Sequence, residues 1–170
     1  MKRLLVIGGA RSGKSRYAEE RLEALPGRLG YIATAQAHDD EMTARIDLHR
    51  ARRGERWETC EAPLELSDAI ARMASRCDAL LVDCLTLWLT NLMLGEHCVG
   101  QGRMGLIDAI AACQVPIALI GNEVGLGIVP DNALARQFRD EAGLLNQAVA
   151  RVADEVVMVA AGLPLRFKPV

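Results

Sequence analysis

Apolar positions follow two rhythms along this chain. Strand candidates occur at Leu4–Ile7, Leu29–Ala33, Ala79–Cys84, Ile117–Gly121 and Val156–Ala160, with a short one at Leu165–Phe167, and most of them are continuous apolar runs. Runs of this length, without polar alternation, read as strands covered on both faces, the habit of a parallel sheet. Between them the apolar residues recur at helical spacing. The first helix is predicted from Lys14 towards Leu25, closed by Pro26-Gly27. A second covers about Asp39 to Arg53, opening on Asp39, Asp40 and Glu41 and closing on arginines, an order that suits the helix dipole. A third follows Pro63, from Leu64 to about Ser75, and a fourth runs from Thr86 to Leu94. Gly95 to Gly105 reads as a glycine-rich surface loop, after which another helix leads to Gln114. The last runs from about Asn132 to Val152, after Pro130-Asp131. Strands alternating with helices predict a three-layer α/β/α arrangement with a mostly parallel sheet, in which Leu165–Phe167 pairs antiparallel at an edge. The expected organisation is one domain over residues 1–170.

Composition narrows the partners. Of 170 residues 51% are hydrophobic, and 20 Lys and Arg stand against 22 Asp and Glu, a net charge of −2. With no basic excess and 4% aromatics, no nucleic-acid partner is expected. Met1-Lys2-Arg3 precedes an apolar run that stops at Gly8, too short for a signal peptide. The most apolar later stretch, Ala79 to Leu94, carries Asp83, Thr86, Thr90 and Asn91, so no membrane span is expected. Five cysteines, Cys60, Cys77, Cys84, Cys98 and Cys113, form no Cys-x-x-Cys pair. They read as reduced thiols acting as small core hydrophobes, in a cytoplasmic protein.

The strongest chemical signal lies at the end of the first strand. Gly8-Gly9-Ala10-Arg11-Ser12-Gly13-Lys14-Ser15 has the pattern G-x-x-x-x-G-K-S between a predicted strand and a predicted helix, the context that this motif requires. Its glycines let backbone N–H groups turn inward around phosphates, and the following helix adds its positive end. Lys14 is expected on the β- and γ-phosphates and Ser15 on Mg²⁺. Leu80-Leu81-Val82-Asp83 then reads as an apolar strand ending in a second Mg²⁺ ligand, Asp83; in isolation the same residue reads as a helix cap. Cys84 follows it where ATPase motors place Glu, Asp83 opens no Asp-x-x-Gly, and no Asn-Lys-x-Asp occurs. A switch GTPase is thereby excluded, and a small kinase-like transferase fits the length.

Two further stretches are unusual. One runs through Ile32-Ala33-Thr34-Ala35-Gln36, Asp39-Asp40-Glu41-Met42, Arg45-Ile46, His49-Arg50, Arg53, Trp57 and Glu61-Ala62-Pro63; the other is Gly121-Asn122-Glu123-Val124-Gly125-Leu126-Gly127-Ile128-Val129-Pro130. With the phosphate loop, and with Arg136, Phe138-Arg139-Asp140 and Asn146-Gln147 further on, the chain resembles, along nearly its whole length, the bifunctional adenosylcobinamide kinase / adenosylcobinamide-phosphate guanylyltransferase family of cobalamin synthesis. The resemblance implies phosphorylation of the aminopropanol hydroxyl of adenosylcobinamide by ATP or GTP. Transfer of GMP from GTP then gives adenosyl-GDP-cobinamide and pyrophosphate. It implies a histidine that carries GMP covalently, matched here by His49. It also implies nucleotide contacts from Gly8–Ser15, Thr34, Ala35, Gln36, Arg50, Ala51, Arg52, Arg53, Glu61 and Asp83, and a homotrimer with sites near subunit interfaces. The alternative is a P-loop small-molecule kinase without guanylyl transfer.

The residues themselves bear on this in part. A neutral imidazole is a competent nucleophile near neutrality. Arg50, Arg52 and Arg53 beside His49 can hold a triphosphate and stabilise developing charge. Periodicity reads His49 differently, since Met42, Ile46 and His49 share one helical stripe and His49 can pack as a core residue. His38 and His97 read as surface residues. Three departures from the family pattern stand out: Gly54 follows Arg53 where proline is frequent, Asp83 replaces the frequent Glu, and Gly95–Gly105 is short. Asn122-Glu123-Val124-Gly125 should lie at the carboxyl edge of the sheet, where ligands of open α/β sheets bind. It reads as a substrate or nucleotide loop, or as a simple strand-to-helix turn.

Overall fold

A computed structural model describes residues 2–35 and 54–169. The predicted second helix lies outside the described residues, and with it Gln36, His38, His49, Arg50, Ala51, Arg52 and Arg53. In chain order the described elements are β1 (Arg3–Gly8), α1 (Lys14–Glu23), β2 (Leu29–Ala33), β3 (Trp57–Glu61), α2 (Leu66–Ala74), β4 (Ala79–Asp83), α3 (Leu85–Leu94), α4 (Val99–Ala112), β5 (Ile117–Asn122), α5 (Ala133–Val152), β6 (Glu155–Ala160) and β7 (Leu163–Lys168).

The strands form one sheet in the order β3-β2-β4-β5-β1-β6-β7. Every pairing is parallel except β6 with β7, which is antiparallel at the edge. The β1–β5 register sets Gly8 opposite Asn122, and the β4–β5 register sets Asp83 opposite Ile120. β1 and β5 thereby end level at the carboxyl edge, and β4 ends two residues before them.

The two faces of the sheet feed two cores. Leu4 and Val6 pack with Ala18 and Leu22 of α1, together with Leu81, Ala118 and Ile120. Leu5 points the other way, into a larger core with Ile70, Leu89, Leu106 and Leu145 from α2, α3, α4 and α5. Alternate residues of one strand thus serve opposite layers, which is why the strand runs are apolar throughout. Leu22 is fully buried, and trimming such a side chain to alanine costs about 2–5 kcal/mol. Among the described residues no helix is long and apolar enough to cross a membrane.

Two elements depart from the sequence reading. β3 has no apolar run: Trp-Glu-Thr-Cys-Glu alternates partly buried and exposed positions, as an edge strand does. And Gly95–Gly105 is not one loop, because α4 begins at Val99 and takes in Gly100, Gly102 and Gly105. A Cβ at Gly102 would lie 2.9 Å from Leu92 Cδ1 and 3.5 Å from the Trp88 ring, and one at Gly105 would lie 3.4 Å from Ser67 Oγ. At Gly102 the missing side chain marks close approach of helices rather than a turn. Of the five cysteines, Cys77, Cys84 and Cys113 are buried and Cys60 half-buried, but Cys98 is exposed and is no core residue. His97 is exposed, as expected.

Candidate active site

β1 delivers the chain to the carboxyl edge and Gly8 begins the turn. A Cβ there would strike the Val159 carbonyl and lie 2.6 Å from Ser12 Oγ, so only glycine fits. Gly13 sits at φ 96°, a conformation open to glycine, and caps α1. Behind it the β6–β7 turn supports the loop: Gly162 N–H donates to the Ser12 carbonyl at 2.9 Å. The Lys14 ammonium folds back onto the crown of the loop, 2.9 Å from the Gly9 carbonyl. Ser12 Oγ is buried without a hydrogen-bond partner. Ala10 and Arg11 are exposed, Gly9 and Ser15 half-buried. The first-turn N–H groups of α1 have no partner within the helix, so an anion held in this loop meets both the donors and the dipole.

Asp83 closes β4, two strands from β1. It is half-buried, and the hydroxyl of Tyr31 donates to its Oδ2 at 3.0 Å. Tyr31 is 6% exposed and stands edge-on to Trp57, with centroids 6.4 Å apart. A buried tyrosine needs a partner for its hydroxyl. That was the one available signal for this residue, hidden inside the apolar run Leu29–Ala33. The Ser15 hydroxyl and the Asp83 carboxylate are oxygen donors of the kind that would suit Mg²⁺.

Of the remaining predicted contacts, Thr34 is fully buried and engaged on every side. Its hydroxyl donates to the Cys84 carbonyl at 2.7 Å and accepts from Cys84 N–H at 2.8 Å. Its carbonyl accepts from Asn91 at 2.8 Å. It ties the end of β2 to the start of α3. Ala35 is half-exposed just beyond it. Glu61, exposed at the end of β3, is four strands from β1, about 19 Å at normal strand spacing. The structure therefore gathers the phosphate loop, Asp83 and the Asn122–Glu123 turn, and sets Glu61 apart. Burial pushes the Cys84 thiol up to about 11, so this cysteine beside Asp83 is protonated near neutrality and is a helix cap, its sulfur 3.5 Å from Leu87 N.

The turn after β5 is held at several points. Asn122 N–H donates to Thr86 Oγ1 at 2.7 Å, and Asn146 of α5 donates to the Asn122 carbonyl at 3.2 Å. Glu123 N–H donates to the Gly8 carbonyl at 3.0 Å. A Cβ at Gly121 would lie 2.7 Å from Asn146 Oδ1. α5 and β5 thus approach closely at the foot of the turn.

A mostly parallel sheet, wrapped on both faces by helices and carrying G-x-x-x-x-G-K-S between its β1 and α1, defines a P-loop NTPase-type fold. The family profile described as "Cobinamide kinase / cobinamide phosphate guanyltransferase" matches residues 4–167. The chain is 48% identical over 167 residues to the bifunctional adenosylcobalamin biosynthesis protein CobP of Pseudomonas aeruginosa, covering 96% of each. It is 42% identical over 180 residues to the bifunctional adenosylcobalamin biosynthesis protein CobU of Salmonella typhimurium, covering 97% of this chain and 99% of that one. To the protein of the same name in Escherichia coli it is 40% identical, with the same coverage. The chain belongs to the cobinamide kinase / cobinamide phosphate guanyltransferase family.

Proposed function

We propose that this chain phosphorylates adenosylcobinamide with ATP or GTP and then transfers GMP from GTP to adenosylcobinamide phosphate, releasing pyrophosphate. The observation that carries this reading is the family match over residues 4–167, on a fold whose phosphate loop stands at the carboxyl edge.

In the first step the substrate hydroxyl attacks the γ-phosphorus and a nucleoside diphosphate leaves. The backbone of Gly8–Gly13 and the first turn of α1 hold the phosphates, and Lys14 bridges the β- and γ-oxygens. Ser15 and Asp83 hold Mg²⁺, which supplies neutralisation of charge on the phosphates and their alignment. In the second step the His49 imidazole attacks the α-phosphorus of GTP and pyrophosphate leaves; the phosphate of adenosylcobinamide phosphate then takes GMP from His49. Arg50, Arg52 and Arg53 stabilise the triphosphate as charge develops, while Thr34–Gln36 and Glu61 serve the nucleotide away from the loop. We place the protein in the cytoplasm, as a single-domain subunit of a homotrimer. Reduced thiols and the family resemblance support these assignments.

The test is product analysis. Wild-type protein given adenosylcobinamide, Mg²⁺ and ATP should yield the phosphorylated corrinoid, and addition of GTP should convert it to the GDP derivative with pyrophosphate release. Phosphorylation that GTP carries no further would favour the plain kinase. No corrinoid-dependent turnover would overturn both readings.

A further inference from the structure

We infer that Glu123 is the general base of the kinase step, an assignment that rests on the function proposed above. Of the chemical steps in the two activities, only one uses an alcohol as nucleophile. An imidazole attacks as the neutral base, and a phosphate monoester attacks through an oxygen that is already anionic. The hydroxyl alone must shed a proton while its bond to phosphorus forms.

Three carboxylates stand at the carboxyl ends of the strands from β3 to β1, and strand spacing separates them. Glu61 is four strands from the phosphate-loop strand, Asp83 two, and Glu123 follows the strand directly beside it, or about 19, 10 and 5 Å in turn. Asp83 is bonded by Tyr31 and is already assigned, in the function proposed above, to Mg²⁺. Glu123 is the carboxylate pinned to the loop itself, through its N–H to the Gly8 carbonyl at 3.0 Å.

The Glu123 side chain is half-buried and oriented. Gly125 N–H donates to Oε1 at 2.6 Å, and among the described residues Oε2 has no hydrogen-bond partner. One oxygen fixes the carboxylate and the other is left to accept a proton. In the step, the hydroxyl oxygen bonds to the γ-phosphorus, its proton passes to Glu123 Oε2, the bond from the γ-phosphorus to the β,γ-bridging oxygen breaks, and the diphosphate leaves with that electron pair.

Glu123→Gln removes the base but keeps an oxygen to accept from Gly125. It should lower kcat for corrinoid phosphorylation about 100-fold or more, leave the KM for ATP near wild type, and reduce GMP transfer to pre-formed corrinoid phosphate by no more than a few-fold. Glu123→Asp should recover part of the lost kcat, which a purely structural hydrogen bond would not predict. A Glu123→Gln variant with kinase kcat within about threefold of wild type, or equal losses in both activities, would overturn the assignment while leaving the proposed function standing. A wild-type protein that phosphorylates no corrinoid would overturn both.

Discussion

The two edges of the sheet treat their charged groups in opposite ways. At the amino edge charges are matched. Arg3 bonds Asp154 through two guanidinium nitrogens, and Arg21 bonds both oxygens of Glu155, which Arg166 also reaches. Glu58 pairs with Arg28 and Arg76, and Arg56 donates to the carbonyls of Glu23, Leu25 and Gly27. Around the phosphate loop at the carboxyl edge, groups are positioned with part of their bonding capacity free. Ser12 Oγ is buried and unpartnered, Asp83 is held by Tyr31 through one oxygen, and Glu123 by its own loop. Beyond it Leu126 and Ile128 are 81% and 97% exposed. A polar group left unsatisfied costs stability, and here those costs fall on the edge that carries the phosphate loop. One edge fastens the layers and the other presents the phosphate loop.

Substitutions at the carboxyl edge should therefore cost activity more than stability, and those at the amino edge the reverse. Lys14→Ala carries the largest expected effect: corrinoid phosphorylation should fall about 1,000-fold, because a cation on the transferring phosphate is lost. The thermal midpoint should fall by only a few degrees, since a hydrogen bond such as that to the Gly9 carbonyl is worth about 1 kcal/mol. Steady-state kinetics beside a melting curve would show both. A large fall in the midpoint would break the contrast.

A smaller effect is expected at Tyr31. Tyr31→Phe removes the hydroxyl that donates to Asp83. The Mg²⁺ concentration for half-maximal activity should rise about tenfold, read from a metal titration at saturating ATP. An unchanged titration would separate Asp83 from the metal.

At the amino edge, Arg21→Ala should leave kcat near wild type but destabilise the fold by about 2 kcal/mol, the scale of hydrogen bonds to a charged partner. The Glu155 side chain is 11% exposed, and the Arg21 guanidinium holds its carboxyl below the usual range. A depressed carboxylate stabilises fully above its unfolded pKa, about 4.3, and loses that contribution as pH falls through the lower folded value. Denaturant titrations from pH 7 downward should show wild-type stability falling below about pH 4, and a shallower fall in Arg21→Ala. Parallel curves would show that the pair contributes nothing.

Much of this was legible in the sequence because strands covered on both faces leave unbroken apolar runs. Leu80-Leu81-Val82-Asp83 and Gly8–Ser15 combine such a run with a chemical terminus. β3 was not legible, since Trp57-Glu58-Thr59-Cys60-Glu61 holds no apolar run, whereas the other edge strand, β7, showed itself at Leu165–Phe167. The glycines of α4 misled because a turn and a close helix contact ask for the same residue. Tyr31 looked like core and serves the site with one atom. Glu123 was visible as part of a loop, but its position beside Gly8 depends on a strand order that no local pattern encodes. The stretch from Gln36 to Arg53 lies outside the described residues. Its reading rests on the arginines around His49 and on the family resemblance.

That stretch holds the most direct test of the bifunctional account. Wild-type protein incubated with Mg²⁺ and GTP labelled at the α-phosphate should retain label on His49, lost in acid and stable in alkali as a phosphoramidate is. GTP labelled at the γ-phosphate should leave none. His49→Ala should abolish the adduct and GMP transfer and keep most of the corrinoid kinase activity, because that step needs no protein nucleophile. An adduct that persists in His49→Ala, or that maps to Lys14 or His38, would contradict the account and leave the plain kinase in its place.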